Sequence, residues 1–89
     1  MARFVVWGRY CEGAIEKRTP FRQEHLDRLK TLKQEGSLIT LGPTQDSSHL
    51  FAIFEAESRE WVDALLRQDV YWRQGIWIEL QVYPWIQAF

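Results

Sequence analysis

The sequence predicts one α+β domain in βαββαβ order, a four-stranded antiparallel sheet with two helices on one face. Three observations predict it. Four short stretches rich in β-branched and aromatic residues stand at 4–11, 37–41, 49–56 and 76–83. Two stretches with apolar residues at helical spacing, beginning near Phe21 and Ser58, fall between the first and second strands and between the third and fourth. No repeat, linker or low-complexity run interrupts the 89 residues, so residues 1–89 read as one unit.

The first strand carries Phe4, Val5, Val6, Trp7 and Tyr10, with large apolar side chains on both faces. Residues 12–20 read as a connection, with Gly13 and Pro20 as breakers and Thr19-Pro20 as a helix start. In the helix from Phe21 to Glu35, Leu26, Leu29 and Leu32 recur at i, i+3 and i+6, and Gly36 suits the left-handed position beyond its end. Leu38-Ile39-Thr40-Leu41 is a strand closed by Gly42-Pro43. The polar segment 44–48 joins it as a hairpin to the strand from His49 to Ala56. Ser58 caps a second helix whose inner stripe is Trp61, Val62, Leu65 and Leu66 and which ends near Gln68-Asp69. Residues 70–75 form a turn. The last strand places Ile76, Ile78, Leu80 and Val82 on one face and Trp77, Glu79, Gln81 and Tyr83 on the other, and Pro84 closes it.

This order is the ferredoxin-like split βαβ arrangement, with strands one and three in the middle. A chain this short buries only roughly 60–65% of its unfolded surface. Yet 46% of it is apolar, five residues are Trp, and aromatic residues lie on both faces of the central strands. A second sheet from a partner subunit is the simplest cover, so a homodimer is expected.

The net charge of −1 and a pI of about 6.1, with nothing more basic than Lys17-Arg18 and Arg22, argue against a nucleic-acid partner. Cys11 stands alone and admits no internal disulfide. No leader is evident, and no apolar run approaches the ~20 residues that span a bilayer. The expectation is a cytoplasmic protein without a membrane partner.

Two side chains point to chemistry. His25 shares a helix face with Leu29 and Leu32, and Asp69 continues the spacing of Trp61 and Leu65. Histidine serves proton transfer because both its protonation states are accessible near neutral pH. A carboxylate bonded to it fixes the tautomer and stabilises the imidazolium. The alternatives are a core histidine bonded to backbone and an Asp exposed in a loop. Arg18 and Arg22 precede His25 on the same side and either face an anionic substrate or are solvated. Gly42-Pro43-Thr44 either brings backbone amides to a ligand or is a plain turn. His49 and Cys11 lack the close ligand spacing of a zinc site, and there is no phosphate loop or nucleophile elbow, so neither metal nor cofactor is expected.

These features together resemble the YciI-like (YCII-related) family of small proteins. The likeness rests on Arg22-x-x-His25-Leu26, Gly36-x-Leu38-x-x-x-Gly42-Pro43 and Asp69-x-Tyr71-x-x-x-Gly75-Ile76, in that order and spacing over nearly the whole chain. The resemblance implies a ferredoxin-like fold pairing as a dimeric α+β barrel. It implies that His25 and Asp69 are an acid/base pair and that Arg22, Gly42, Pro43 and Tyr71 line the same cleft. Related folds include cofactor-free isomerases, lyases and monooxygenases; the expectation is proton-transfer chemistry of the isomerase, lyase or dehydrohalogenase kind, and the Trp- and Phe-rich composition suggests a small aromatic or carbonyl compound as substrate. A non-catalytic dimeric ligand-binding or accessory domain is the other reading. The family usually carries Asp-Pro-Tyr where this chain has Asp69-Val70-Tyr71.

Overall fold

A computed structural model describes residues Met1 to Phe89. Its strands are β1 (Ala2–Tyr10), β2 (Leu38–Pro43), β3 (His49–Ala56) and β4 (Trp77–Trp85), and its helices are α1 (Ala14–Arg18), α2 (Arg22–Gln34), α3 (Arg59–Arg67) and α4 (Val70–Arg73). The strands form one antiparallel sheet in the order β2-β3-β1-β4, so β1 and β3 are central, as the pattern predicts.

Alternation along the strands separates the two faces. Phe4, Val6 and Tyr10 of β1 and Leu50, Ala52, Phe54 and Ala56 of β3 are buried under the helices, with Leu32, Val62 and Leu66 above them. On the other face, Trp7, Phe51 and Tyr83 are exposed. Gly8 occupies a helix-facing position where a Cβ would lie 2.8 Å from both the Glu79 carbonyl and Leu50 Cδ2. Only glycine lets these chains approach so closely.

Helix ends follow the expected chemistry in two places. The Ser58 hydroxyl accepts from the Trp61 N–H at 3.1 Å. Gly36, at φ 87°, lets the Ser37 N–H reach the Leu32 carbonyl at 3.1 Å and close α2.

Other elements differ from the sequence expectation. The segment from Glu12 to Pro20 is not mere connection: α1 occupies its middle and a 3₁₀ turn, Thr19–Phe21, joins α1 to α2. Pro20 is tolerated because it sits in the first turn, where its missing N–H costs no bond. Thr19 does not cap α2, since its hydroxyl donates back to the Ile15 carbonyl. Leu26 and Trp61 lie off the buried stripes, which run through His25, Leu29 and Leu32 on α2 and through Val62 and Leu66 on α3; Trp61 is 45% exposed. Gly42 and Pro43 belong to β2, paired with Phe51 and Leu50. The chain from Val70 to Arg73 is a helical turn, and β4 runs past Pro84, an edge position that needs no donor.

A register shift between Arg9 and Tyr10 matters most for the site. Arg9 pairs with Glu79 but Tyr10 pairs with Trp77, so Ile78 is bulged out and exposed. The bulge turns Trp77 to the helix side, opposite to the face that simple alternation predicts.

Candidate functional site

The site is assembled at one end of the sheet. Pro43, Leu50, Gly8 and Leu80 form a row across β2, β3, β1 and β4, and Tyr10 and Trp77 lie just beyond it. The N-terminal half of α2 covers this end from above.

His25, on the inward stripe of α2, is 3% exposed and Asp69 is 0% exposed. Their side chains meet: His25 Nδ1 and Asp69 Oδ1 are 2.8 Å apart. The spacing argument placed Asp69 at the C-terminal end of the second helix. The structure gives another reason for its burial. Asp69 has left α3 and is extended, at φ −67° and ψ 141°, as the N-cap of α4, and Oδ1 also accepts from the Tyr71 N–H at 2.9 Å. An acidic N-cap meets the positive end of a helix dipole and satisfies one of its free amides.

The third donor to Asp69 is Arg28, which the polar face of α2 concealed in the sequence. Its Nη1 donates to Asp69 Oδ2 at 3.3 Å and its Nη2 to the Leu65 carbonyl at 2.7 Å. Arg28 stands three residues after His25, and that spacing was the available signal for a shared face.

Hydrogen-bond accounting defines the tautomer. With a guanidinium, a backbone N–H and an imidazole nitrogen all converging on it, Asp69 is an ionised carboxylate and only accepts. His25 Nδ1 therefore carries the proton, and Nε2 is the nitrogen left for other work. Nε2 has no partner in the chain, yet Trp77 Nε1 is the one side-chain polar atom both sealed and unpartnered. His25 Nε2 thus retains contact with solvent.

Aromatic rings hold the imidazole in place. Tyr71 stacks on it with centroids 3.7 Å apart and planes 8° from parallel, and Trp77 meets both rings edge-on. Burial pushes the Tyr71 phenol above its ordinary value of 10.0, an effect the nearby Arg18 and Arg22 partly oppose. Tyr71 is accordingly a neutral phenol near neutral pH.

Of the residues singled out in the sequence, His25, Asp69 and Tyr71 are in direct contact. Arg22 is exposed at the start of α2, close enough to act on the Tyr71 phenol. Gly42 and Pro43 lie at the same end of the sheet on its β2 edge and make no hydrogen bond to the pair. A cleft of about 730 Å³ at this end is lined by Tyr10, Cys11, Ala14, Ser48 and His49, but His25 and Asp69 are not in its wall. No group of three His, Cys, Asp or Glu side chains is placed to hold a metal ion. No helix is long and apolar enough to cross a membrane.

The YCII-related domain family matches residues 2–86. The YciI protein of Escherichia coli is 32% identical over 96 residues, covering 97% of this chain and 98% of its own. An uncharacterised protein of Haemophilus influenzae is 28% identical over 100 residues, with coverage of 97% and 98%. Among solved structures, the 5-chloro-2-hydroxyhydroquinone dehydrochlorinase TftG of Burkholderia phenoliruptrix, in complex with 2,5-dihydroxybenzoquinone, superposes with a TM-score of 0.81 at 24% identity over 97% of this chain and 95% of its own. A protein of Agrobacterium tumefaciens superposes with a TM-score of 0.62 at 15% identity, covering 99% and 94%. These likenesses establish the fold.

Proposed function

Since the chain belongs to the YCII-related family, we propose that it is a small enzyme in which His25 moves a proton through Nε2 while Asp69 orients it. The observation that carries this reading is the 2.8 Å bond of the buried pair, with Nε2 left unbonded and touching solvent. A fixed Nδ1–H tautomer presents a lone pair at Nε2, the form a general base requires. The aromatic surroundings favour a small aromatic or carbonyl compound. Tyr71 would sit beside it, Arg22 would attract an anionic group, and Gly42-Pro43 would form the far wall. Isomerisation, elimination and dehydrohalogenation all begin with such a proton transfer. TftG is a dehydrochlorinase, and loss of HCl needs a base for the proton while chloride takes the bonding electrons of carbon. The exposed sheet face of Trp7, Phe51 and Tyr83 supports a homodimer, and the lone Cys11 supports a reducing cytoplasm.

The decisive variant is His25→Asn. Its amide keeps a donor toward Asp69 and removes Nε2. Turnover would be followed with 5-chloro-2-hydroxyhydroquinone and related halogenated phenols, by chloride release and by absorbance. The expected result is a loss of 10²-fold or more, on the order of a general base's contribution, in a folded protein. Undiminished turnover in His25→Asn would sink the proposal. Light scattering at micromolar concentration tests the dimer, and a stable monomer refutes it.

One observation favours a second reading, a non-catalytic ligand-binding or accessory domain. None of five clefts on the single chain has His25 or Asp69 in its wall, and the bond also serves as a structural tie between α2 and the start of α4. That reading expects His25→Ala to lower stability and no compound to be turned over.

A further inference from the structure

We infer that Arg28 is a positioning residue that sets the resting charge state of the pair, keeping Asp69 ionised while His25 stays neutral. This rests on the acid/base reading above for its purpose, but its physical content stands alone.

A fully buried carboxylate needs a compensating charge close by. Two groups can supply it here. One is an imidazolium at His25, which would place a proton on Nε2 and leave no lone pair. The other is the Arg28 guanidinium, charged at any ordinary pH. The structure provides the second. Arg28 Nη1 donates to Asp69 Oδ2, the oxygen that neither His25 nor the Tyr71 amide occupies. Nη2 is tied to the Leu65 carbonyl at the end of α3, which holds the guanidinium in place although a quarter of the side chain is exposed. Each oxygen of Asp69 therefore has its own cationic or neutral donor.

Other ionisable groups around His25 do not take over this role. Tyr71, stacked on the ring from α4, is neutral. Arg18 and Arg22, from α1 and the start of α2, act on the Tyr71 phenol and make no bond to Asp69. Two surface charges on the same elements, Glu24 on α2 and Arg73 on α4, pair with each other at 3.0 Å. Remove the Arg28 charge and the imidazole is the one remaining group able to neutralise Asp69.

The test uses ¹⁵N-histidine-labelled full-length protein. Only His25 and His49 contribute signals, and His25→Asn assigns them. Wild type near neutral pH should show His25 as one neutral tautomer with a bare Nε2 and a protected Nδ1–H. In Arg28→Met the bare Nε2 signal should give way to a doubly protonated ring at the same pH, and Arg28→Lys should restore the neutral form. Arg28→Gln removes the charge but keeps a donor for the Leu65 carbonyl, so it should behave as Met does without loosening the fold. If His25 in Arg28→Gln or Arg28→Met keeps the wild-type tautomer across the pH series, the inference is wrong. Undiminished turnover in His25→Asn would overturn the acid/base role of His25 and leave this result untouched.

Discussion

Replacing Asp69 probes how much of the fold depends on the site. Asp69→Ala removes the acceptor for three donors: the His25 imidazole, the Tyr71 amide and the Arg28 guanidinium. The first two are buried and have no alternative partner, and each orphaned donor costs about 1–3 kcal/mol. The Tyr71 amide is also the capped amide of α4, so the usual N-cap loss of about 1 kcal/mol is already contained in that figure. Arg28 is partly exposed and can turn to water, so it adds little. The total, about 2–6 kcal/mol, brackets the usual cost of about 3–5 kcal/mol for removing one partner of a buried pair. Asp69→Asn keeps an oxygen for two donors but turns an amide N–H₂ toward Arg28, which can swing away, so about 1–2 kcal/mol is expected. Urea unfolding followed by Trp fluorescence measures both, and each kcal/mol should lower Tm by about 4–8 °C in a domain of this size. An Asp69→Ala loss below about 1 kcal/mol would refute the view that this carboxylate ties α2 to α4.

Val70→Pro should fold normally and stay within about 1 kcal/mol of wild type, the entropic gain of a fixed φ offsetting lost side-chain packing; Val70 is the first residue of α4, and Asp69 already has the extended backbone a following proline requires. Thermal unfolding and the protected His25 Nδ1–H check it together. Gly8→Ala should destabilise by about 1–3 kcal/mol, because its methyl would press into the Glu79 carbonyl, Leu50 and Leu80; urea titration measures it. Asp46 accepts from the Thr44 hydroxyl and from the Ser48 hydroxyl and amide, and the Ser48 hydroxyl foremost lowers its carboxyl from 3.8 to about 2. The folded value lies below the unfolded one, so the stabilisation is complete above about 4 and fades as pH falls toward 2. Asp46→Asn should therefore differ most from wild type at neutral pH and converge with it near pH 2, which acid-dependent urea titrations would reveal.

The order of elements was legible because each strand and main helix carries its own periodicity, and strand order follows from the βαββαβ sequence. What remained hidden depends on contacts between distant residues. α1 was obscured because Gly13 and Pro20 read as breakers, although glycine and proline suit the approach to a helix and its first turn. Trp77 was assigned to the wrong face because a bulge opposite Tyr10 shifts the phase of β4, and nothing in a single strand announces it. Arg28 read as solvent-facing because a charge on a helix usually is, and only its partner on another segment makes it part of the site. Asp69 was placed in the interior through a stripe shared with Trp61, which lies outside. Its burial comes instead from the cap of α4.

That cap explains why both functional readings fit the same geometry. A carboxylate that starts a helix must point its oxygens at backbone amides, and here one of those oxygens also reaches an imidazole on the neighbouring helix. The fold thus gains a tie between α2 and α4 from the same atoms that would orient a base. It also answers the change from the family's Asp-Pro-Tyr to Asp69-Val70-Tyr71: the direction of Asp69 is held by the Tyr71 amide and Arg28, so proline's rigid φ is dispensable. Any substitution at Asp69 disturbs stability and chemistry together. Nε2 of His25 takes no part in the tie, so its removal alone separates them. A protein that keeps the His25 side of the bond and loses Nε2 should still fold under either reading, giving up the ring's packing on Tyr71 and Trp77, and only under the catalytic one should a turnover shown by wild type be lost.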